Sequence, residues 1–296
     1  MAKRALLIVN PTSGKGQVKA ELFGMVKLFS DAGYLLEVYM TRGKFDGVRK
    51  VCEEGKHFDL ILACGGDGTL NEVVTGAMRI HYEGSLGFLP SGTTNDVANS
   101  LAIPKNLVRA CEMLISTEPQ YLDFGSFNRT RYFTYIASFG AFTDVSYSTD
   151  QKMKNAFGHA AYMTEAIARL KDLRSYSMKV ICDGEEFEDD FLFGAVSNSI
   201  SIGGVVKLKR DSVNFSDGNH EVLLIRSPKN PADLANLTAE MLSGNFENKS
   251  VLFFRGSRIK FICQEEIPWC VDGEYAGSHR QVKIRNLHEK LRVIYP

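Results

Sequence analysis

At 296 residues, 44% apolar and 24% charged, the chain has a globular composition and is long enough for one large or two ordinary domains. Lys plus Arg and Asp plus Glu number 35 each, which excludes a global basic field for nucleic acid and an acidic tail for a charged partner. No apolar run approaches the roughly 20 residues that cross a bilayer, and Met1 to Asn10 holds too short an apolar stretch for a signal peptide, so a cytoplasmic protein is expected. The six cysteines show no two-residue spacing, which disfavours zinc or a redox pair and leaves buried, reduced thiols.

The first 120 residues read as repeated strand-loop-helix units. Arg4 to Val9 is a strand, and Asn10-Pro11-Thr12-Ser13-Gly14-Lys15-Gly16 is a polar loop. Val18, Leu22, Met25 and Phe29 then mark one helix face, closing at Asp31-Ala32-Gly33. The second unit runs from Tyr34 to Met40, through Thr41-Arg42-Gly43, into a helix carrying Phe45, Val48 and Val51. The third joins Phe58 to Ala63 through Cys64-Gly65-Gly66-Asp67-Gly68-Thr69-Leu70-Asn71-Glu72 to a helix with Leu70, Val73, Val74 and Ala77 inward. The fourth has the strand Ser85 to Leu89, the turn Pro90 to Asp96 and a helix from Val97; beyond Pro104, Leu107, Ala110, Cys111 and Leu114 mark a short amphipathic helix. Such repeats imply a doubly wound parallel sheet, with all four polar loops on the carboxyl edge of its strands, where ligands bind.

From Gln120 the pattern changes to successive strands: Tyr121 to Ser126, Tyr132 to Phe139, Ser177 to Cys182, Phe191 to Ser197, His220 to Ile225, Val251 to Arg255 and Arg258 to Cys263. Two helices interrupt them, about Lys152 to Leu173 and Pro231 to Leu242. The predicted fold is α/β plus β: an N-terminal Rossmann-like doubly wound lobe over 1–120 and a C-terminal antiparallel β-sandwich over 121–287. A last strand at about 288–296 either stays with the second domain or returns to the first.

Three loops offer phosphate chemistry. Gly65, Gly66 and Gly68 let a ligand approach the main chain, and the following helix points its free N–H groups at an anion. Asp67 among them suggests a divalent cation bridging two negative groups. The Asn10 to Gly16 loop supplies hydroxyls, amides and Lys15, but lacks the ending of a Walker A loop. Thr93, Thr94 and Asn95 are hydrogen-bonding groups on the same edge, with Asn95 or Asp96 also suited to cap the next helix, and Thr41 shares that edge. Near the end, Asp272-Gly273-Glu274 is a hairpin turn by default, and Asp183-Gly184-Glu185 repeats that tripeptide where nothing suggests chemistry. What distinguishes Asp272 and Glu274 is the apolar Ile267, Pro268, Trp269 and Val271 before them, which predicts partly buried carboxylates suited to a base. Asn214 to Asn219 is a further turn, or a cation loop using Asp217 and neighbouring carbonyls.

Together, N-P-x-S-G at residue 10, G-G-D-G-T-x-N-E at 65, P-x-G-T-x-N-D at 90, D-G at 217 and V-D-G-E at 271 resemble the soluble diacylglycerol kinase family, whose lipid-kinase fold includes sphingosine and ceramide kinases. Phe157 to Tyr162 resembles its F-G-x-x-x-Y helix start; Ser216 stands where bacterial members usually have aspartate, and Lys207-Leu208-Lys209-Arg210 replaces their proline-containing approach. The resemblance implies a Rossmann-like lobe and a β-sandwich, with ATP and a lipid hydroxyl meeting in the cleft. It implies ATP contacts at Asn10, Pro11, Thr12, Ser13, Gly14, Thr41, Gly66, Asp67, Gly68, Thr69, Leu70, Asn71, Glu72 and Thr93. Asp67 resembles the magnesium-linked aspartate, Asp96 a supporting member of the acidic network, and Glu274 the general base. Asp217 matches the side-chain ligand of a structural magnesium, with Asn214 and Asn219 giving carbonyls.

The implied cofactors are ATP and Mg2+, and the implied partner is a lipid, diacylglycerol or a related alcohol, met at a membrane surface by peripheral contact, with no nucleic acid. Lys15, Lys152 and Lys154 are local basic sites for anionic headgroups, and a homodimer is the expected oligomer. An NAD kinase shares G-G-D-G-T but lacks the Asn10-Pro11 loop, and a regulator that binds nucleotide without catalysis is the alternative of a different class.

Overall fold

A computed structural model describes residues 2–14, 17–140, 174–202, 206–208, 210, 213–243 and 250–296. The expected helix at 152–173, the 157–162 motif, Lys15, Lys152 and Lys154 lie outside the described residues. The chain divides into two compact units, Met1–Phe124 with Phe215–Asp217 and Leu287–Pro296, and Gly125–Asn214 with Gly218–Asn286.

In the first unit, β1 (Lys3–Val9), α1 (Gln17–Asp31), β2 (Tyr34–Met40), α2 (Asp46–Glu54), β3 (Leu60–Gly65), α3 (Asp67–Arg79), β4 (Ser85–Pro90), α4 (Asp96–Ser100) and α5 (Leu107–Ser116) alternate as expected. β5 (Gln120–Leu122) ends this run. The sheet order is β2-β1-β3-β4 and then the chain's last strand, which pairs parallel with β4 and antiparallel with β5. Central strands buried on both faces need unbroken apolar runs, and every residue of β3 is buried. α1 packs on α5 and α2 on α3, so helices cover both faces. Gly33, at φ +83, closes α1 as the Asp31-Ala32-Gly33 signal predicts.

The second unit contains β6 (Gly125–Phe127), β7 (Arg131–Phe133), β8 (Ile136–Gly140), β9 (Tyr176–Cys182), β10 (Glu185–Ser197), β11 (Ser201–Ile202), β12 (Val206–Lys207), β13 (His220–Arg226), α6 (Pro231–Ser243), β14 (Val251–Gly256), β15 (Arg258–Val271) and β16 (Glu274–Asn286); β17 (Leu291–Ile294) is the strand that lies in the first unit. Two long strands build its layers. β10 pairs first with β9 and then with β8, and β15 does the same, with register shifts near Phe191 and after Ile262. One hydrogen-bonded sheet thus folds back on itself around Phe127, Phe133, Phe139, Phe261 and Trp269. Its outer face at Leu192, Phe193, Leu223 and Ile225 is covered by Leu237 of α6.

Three expectations fail. The predicted strand Tyr121 to Ser126 is two strands in two units, broken where the buried Asp123 gives its N–H to the Phe215 carbonyl at 2.8 Å. Tyr132 to Phe139 is also two strands, because the Asp272 carboxylate takes the N–H groups of Thr134, Tyr135 and Ile136. Phe45, expected on the inner face of α2, precedes the helix and is 64% exposed. β16 carries too many charged and polar residues for its strand pattern to stand out before the structure pairs it with β15.

Candidate active site

The carboxyl edge of the first sheet gathers three of the four polar loops by direct contact. Asn10 N–H donates to the Cys64 carbonyl, and Ser91 and Gly92 N–H both donate to the Gly65 carbonyl. The Ser13 and Ser91 hydroxyls are 2.9 Å apart. Glycine is required at two contacts: a Cβ on Gly14, at φ +65, would lie 2.4 Å from the Ser91 carbonyl oxygen, and one on Gly92 would lie 2.5 Å from the Gly66 Cα. Thr41 N–H reaches the Val9 carbonyl, which ties the β2 loop to the same edge.

Asp67 opens α3, and its two oxygens accept the N–H groups of Asp96 (3.0 Å) and Val97 (3.1 Å). Its carboxylate therefore caps the short α4, a task a helix dipole favours and one worth about 0.5–2 kcal/mol. Asp67 therefore has a structural task besides the cation that the sequence suggests. Burial pushes the Asp67 carboxyl above its ordinary value, and the Val97 and Asp96 amides pull it back. Asn95 does not cap α4 with its side chain; it exchanges hydrogen bonds with the main chain of Gly92. Cys64, at the end of β3, is pushed up to about 12 by burial, so it stays a neutral thiol. All six cysteines are free.

Within Gly66 to Glu72 the residues divide sharply. The Thr69 and Leu70 side chains are buried and their N–H groups bond the Gly66 carbonyl. Glu72 accepts Phe45 N–H (2.8 Å) and Gly47 N–H (2.9 Å), so it holds the start of α2. Gly68 is exposed with open space around it. In the first loop, Asn10 Oδ1 accepts both the N–H and the hydroxyl of Thr12, and Ser13 donates to the Asn10 carbonyl. Pro11, Thr12 and Thr93 are exposed. This surface offers main-chain N–H groups at a helix start, hydroxyls and one shielded carboxylate, which suits an anion.

In the second unit, Asp272 and Gly273 have φ +46 and +80, the paired positive values of a two-residue hairpin turn joining β15 to β16. The Asp272 carboxylate accepts the Thr134 N–H and hydroxyl, and the Tyr135 and Ile136 N–H groups, at 2.7–3.1 Å. Burial raises its pKa against those donors. Glu274 differs from the expectation of a partly buried wall: it is exposed. Asp272 is thus a structural clamp, and Glu274 is the exposed carboxylate of the turn.

Among the described residues, no group of three or more His, Cys, Asp or Glu side chains could hold a metal ion. A magnesium ion carried chiefly on nucleotide phosphates needs only one or two protein carboxylates, and Asp67 fits that demand. Asp217 belongs to the first unit, and Asn214 and Asn219 to the second. A polar pair escaped sequence reasoning here: Asp123, fully buried, lies with Oδ1 2.7 Å from His288 Nδ1. That hydrogen bond raises the imidazole pKa, and Asp217 adds to the effect. The available signal was a carboxylate between the apolar Leu122 and Phe124.

Residues 4–127 match the diacylglycerol kinase catalytic domain, and residues 136–295 match the YegS C-terminal NAD kinase beta sandwich-like domain. The diacylglycerol kinase of Bacillus subtilis (strain 168) is 32% identical over 297 residues, 99% of this chain and 97% of that protein. The diacylglycerol kinase of Staphylococcus aureus (strain MRSA252) is 32% identical over 299 residues, 100% of this chain and 93% of its own length. The crystal structure of a diacylglycerol kinase from Bacillus anthracis str. Sterne covers 100% of this chain and 97% of its own at 21% identity, with TM-score 0.78, which shows the shared fold. On its catalytic-domain match and its full-length relatives, the chain belongs to the diacylglycerol kinase family.

Proposed function

We propose that this protein is an ATP-dependent lipid kinase that transfers the γ-phosphoryl group to a lipid hydroxyl, diacylglycerol or a related alcohol. The observation that carries the reading is the junction of three loops at the α3 N-terminus, held by the Ser13–Ser91 and Gly65–Ser91 hydrogen bonds, with Asp67 at its centre. The full-length relatives named diacylglycerol kinase support the acceptor class. Main-chain N–H groups of the glycine loops hold the phosphates, and Asp67 would hold a magnesium ion, which would offset their charge. Asp96 supports Asp67 through its N–H, and Glu274 takes the proton of the acceptor hydroxyl. Among the described residues no helix is long and apolar enough to cross a membrane, so access to the lipid is by peripheral contact in this reading.

A nucleotide-binding regulator gains one argument from the structure. Because Asp67 caps α4, a chain without catalysis would keep it too. The test is magnesium-dependent transfer of labelled γ-phosphate from ATP to a panel of lipids in mixed micelles and, separately, to NAD, beside Asp67→Asn, which retains one acceptor oxygen for α4. Label in one lipid class, lost in the variant, supports the kinase and names its acceptor. ATP binding without label in any lipid supports the regulator, and label in NAD supports an NAD kinase.

A further inference from the structure

We propose that Phe45 is the platform on which the base of the bound nucleotide stacks, an inference that rests on the nucleotide reading above. Phe45 has φ +66 and ψ 4, a left-handed conformation that a bulky side chain avoids. It is also 64% exposed, so burial does not compensate for the strain. The main chain there is held by Glu72, which accepts the N–H groups of both Phe45 and Gly47, and glycine would meet that demand without strain. A strained, exposed aromatic ring where folding would favour glycine points to a use for the ring itself.

Its position says which use. The ring stands at the start of α2, on the carboxyl edge that also carries the Asn10, Gly65 and Ser91 loops, and Thr41 in the same connection is bonded to Val9. Glu72 lies five residues beyond Asp67, about 7.5 Å along α3 at 1.5 Å per residue. A nucleotide extended from phosphates at the α3 N-terminus can span that interval. The Lys44 ammonium lies over one face of the Phe45 ring, 5.5 Å from its centroid, so the base stacks on the opposite face. The Asp46 carboxylate braces the loop by accepting Arg42 N–H at 2.8 Å and the Tyr39 hydroxyl at 2.9 Å. Every base has a flat π-face, so this contact holds a base with little selection among bases.

The experiment is calorimetric binding of MgATP and of inorganic triphosphate to the wild type, Phe45→Ala, Phe45→Gly and Phe45→Trp, with thermal unfolding of each. Phe45→Ala and Phe45→Gly are expected to weaken ATP by about ten-fold or more and to leave triphosphate affinity unchanged. Phe45→Gly should unfold no earlier than the wild type, which separates loss of the ring from loss of the fold. Phe45→Trp should keep ATP affinity, and its binding should transfer to GTP. Equal ATP affinity in the wild type and Phe45→Gly overturns the platform while leaving nucleotide binding intact. Parallel loss of ATP and triphosphate also overturns it, since the residue would then serve the loop alone. A wild type that binds neither ligand removes the nucleotide reading and this inference together.

Discussion

The second unit carries the same tripeptide twice, and the two copies do the same thing in different surroundings. Asp183-Gly184-Glu185 and Asp272-Gly273-Glu274 are both hairpin turns with paired positive φ, at +48 and +101 in the first and +46 and +80 in the second. In each, the aspartate clamps the start of a neighbouring strand: Asp183 accepts the Ser257 N–H, the Ser257 hydroxyl and the Arg258 N–H, and Asp272 accepts from Thr134, Tyr135 and Ile136. The difference is the solvent. The groups around Asp183 are exposed, whereas those around Asp272 are part-buried. A tripeptide specifies the turn and the clamp, and its surroundings decide how much each is worth and whether the following glutamate has a task.

The largest predicted contrast is catalytic. Glu274→Gln should lower kcat by roughly 100-fold or more while leaving ATP affinity unchanged, as loss of a general base does, and Glu185→Gln should leave turnover alone. Equal turnover in both variants would erase the distinction and remove Glu274 from the base role. Next in size is stability. Asp272→Ala leaves three N–H groups and a hydroxyl without their acceptor where water enters poorly, so it should lose about 3 kcal/mol in urea unfolding. Asp183→Ala exposes its donors to water and should lose about 1 kcal/mol. Equal losses would mean that burial does not separate the turns.

Proton linkage sharpens the same point. Burial raises the Asp272 pKa above its ordinary 3.8, so the folded state binds the proton more tightly than the unfolded chain. The proton-linked part of its contribution is therefore complete below 3.8 and lost as pH rises through the folded value, while its acceptor role toward the four donors persists. The stability of the wild type relative to Asp272→Asn should fall as pH rises above that point. Asp46 gives the opposite slope: the Arg42 N–H and then the Arg49 guanidinium hold it at about 2, so its contribution is present above 3.8 and lost as pH falls toward 2. A rising or flat Asp272 curve would show that its four donors outweigh desolvation. The smallest contrast is between the hydroxyls: Thr134→Val should lose about 1 kcal/mol, and Ser257→Ala less than about 0.5 kcal/mol.

Legibility in the sequence followed the range of the interactions. The β1 to β4 strands, the inward faces of α3 and α5 and the glycine signal at Gly33 are local patterns, and the structure reproduces them. The motif order from Asn10 to Glu274 likewise carried the family, which full-length relatives bear out. The breaks at Asp123 and at Thr134 were invisible because the partners that cause them are far away in the chain: Phe215 and His288 for one, Asp272 for the other. The second duty of Asp67 was hidden for the same reason, since the N–H groups it caps lie 29 and 30 residues away.

The sequence by itself determined the repeated βα units, the change to antiparallel strands after residue 120, the polar loops at the strand ends and the two Asp-Gly turns. Each depends on periodicity or on a short run of residue types, and the backbone reads such runs locally. Only the tertiary structure decided that β17 lies between β4 and β5, that Phe45 is strained and exposed rather than core, and that Asp272 is half-buried while Glu274 is exposed. Those outcomes depend on which distant N–H group finds which carboxylate and which surface is covered. Such pairings become energetically specified only once the chain has closed on itself.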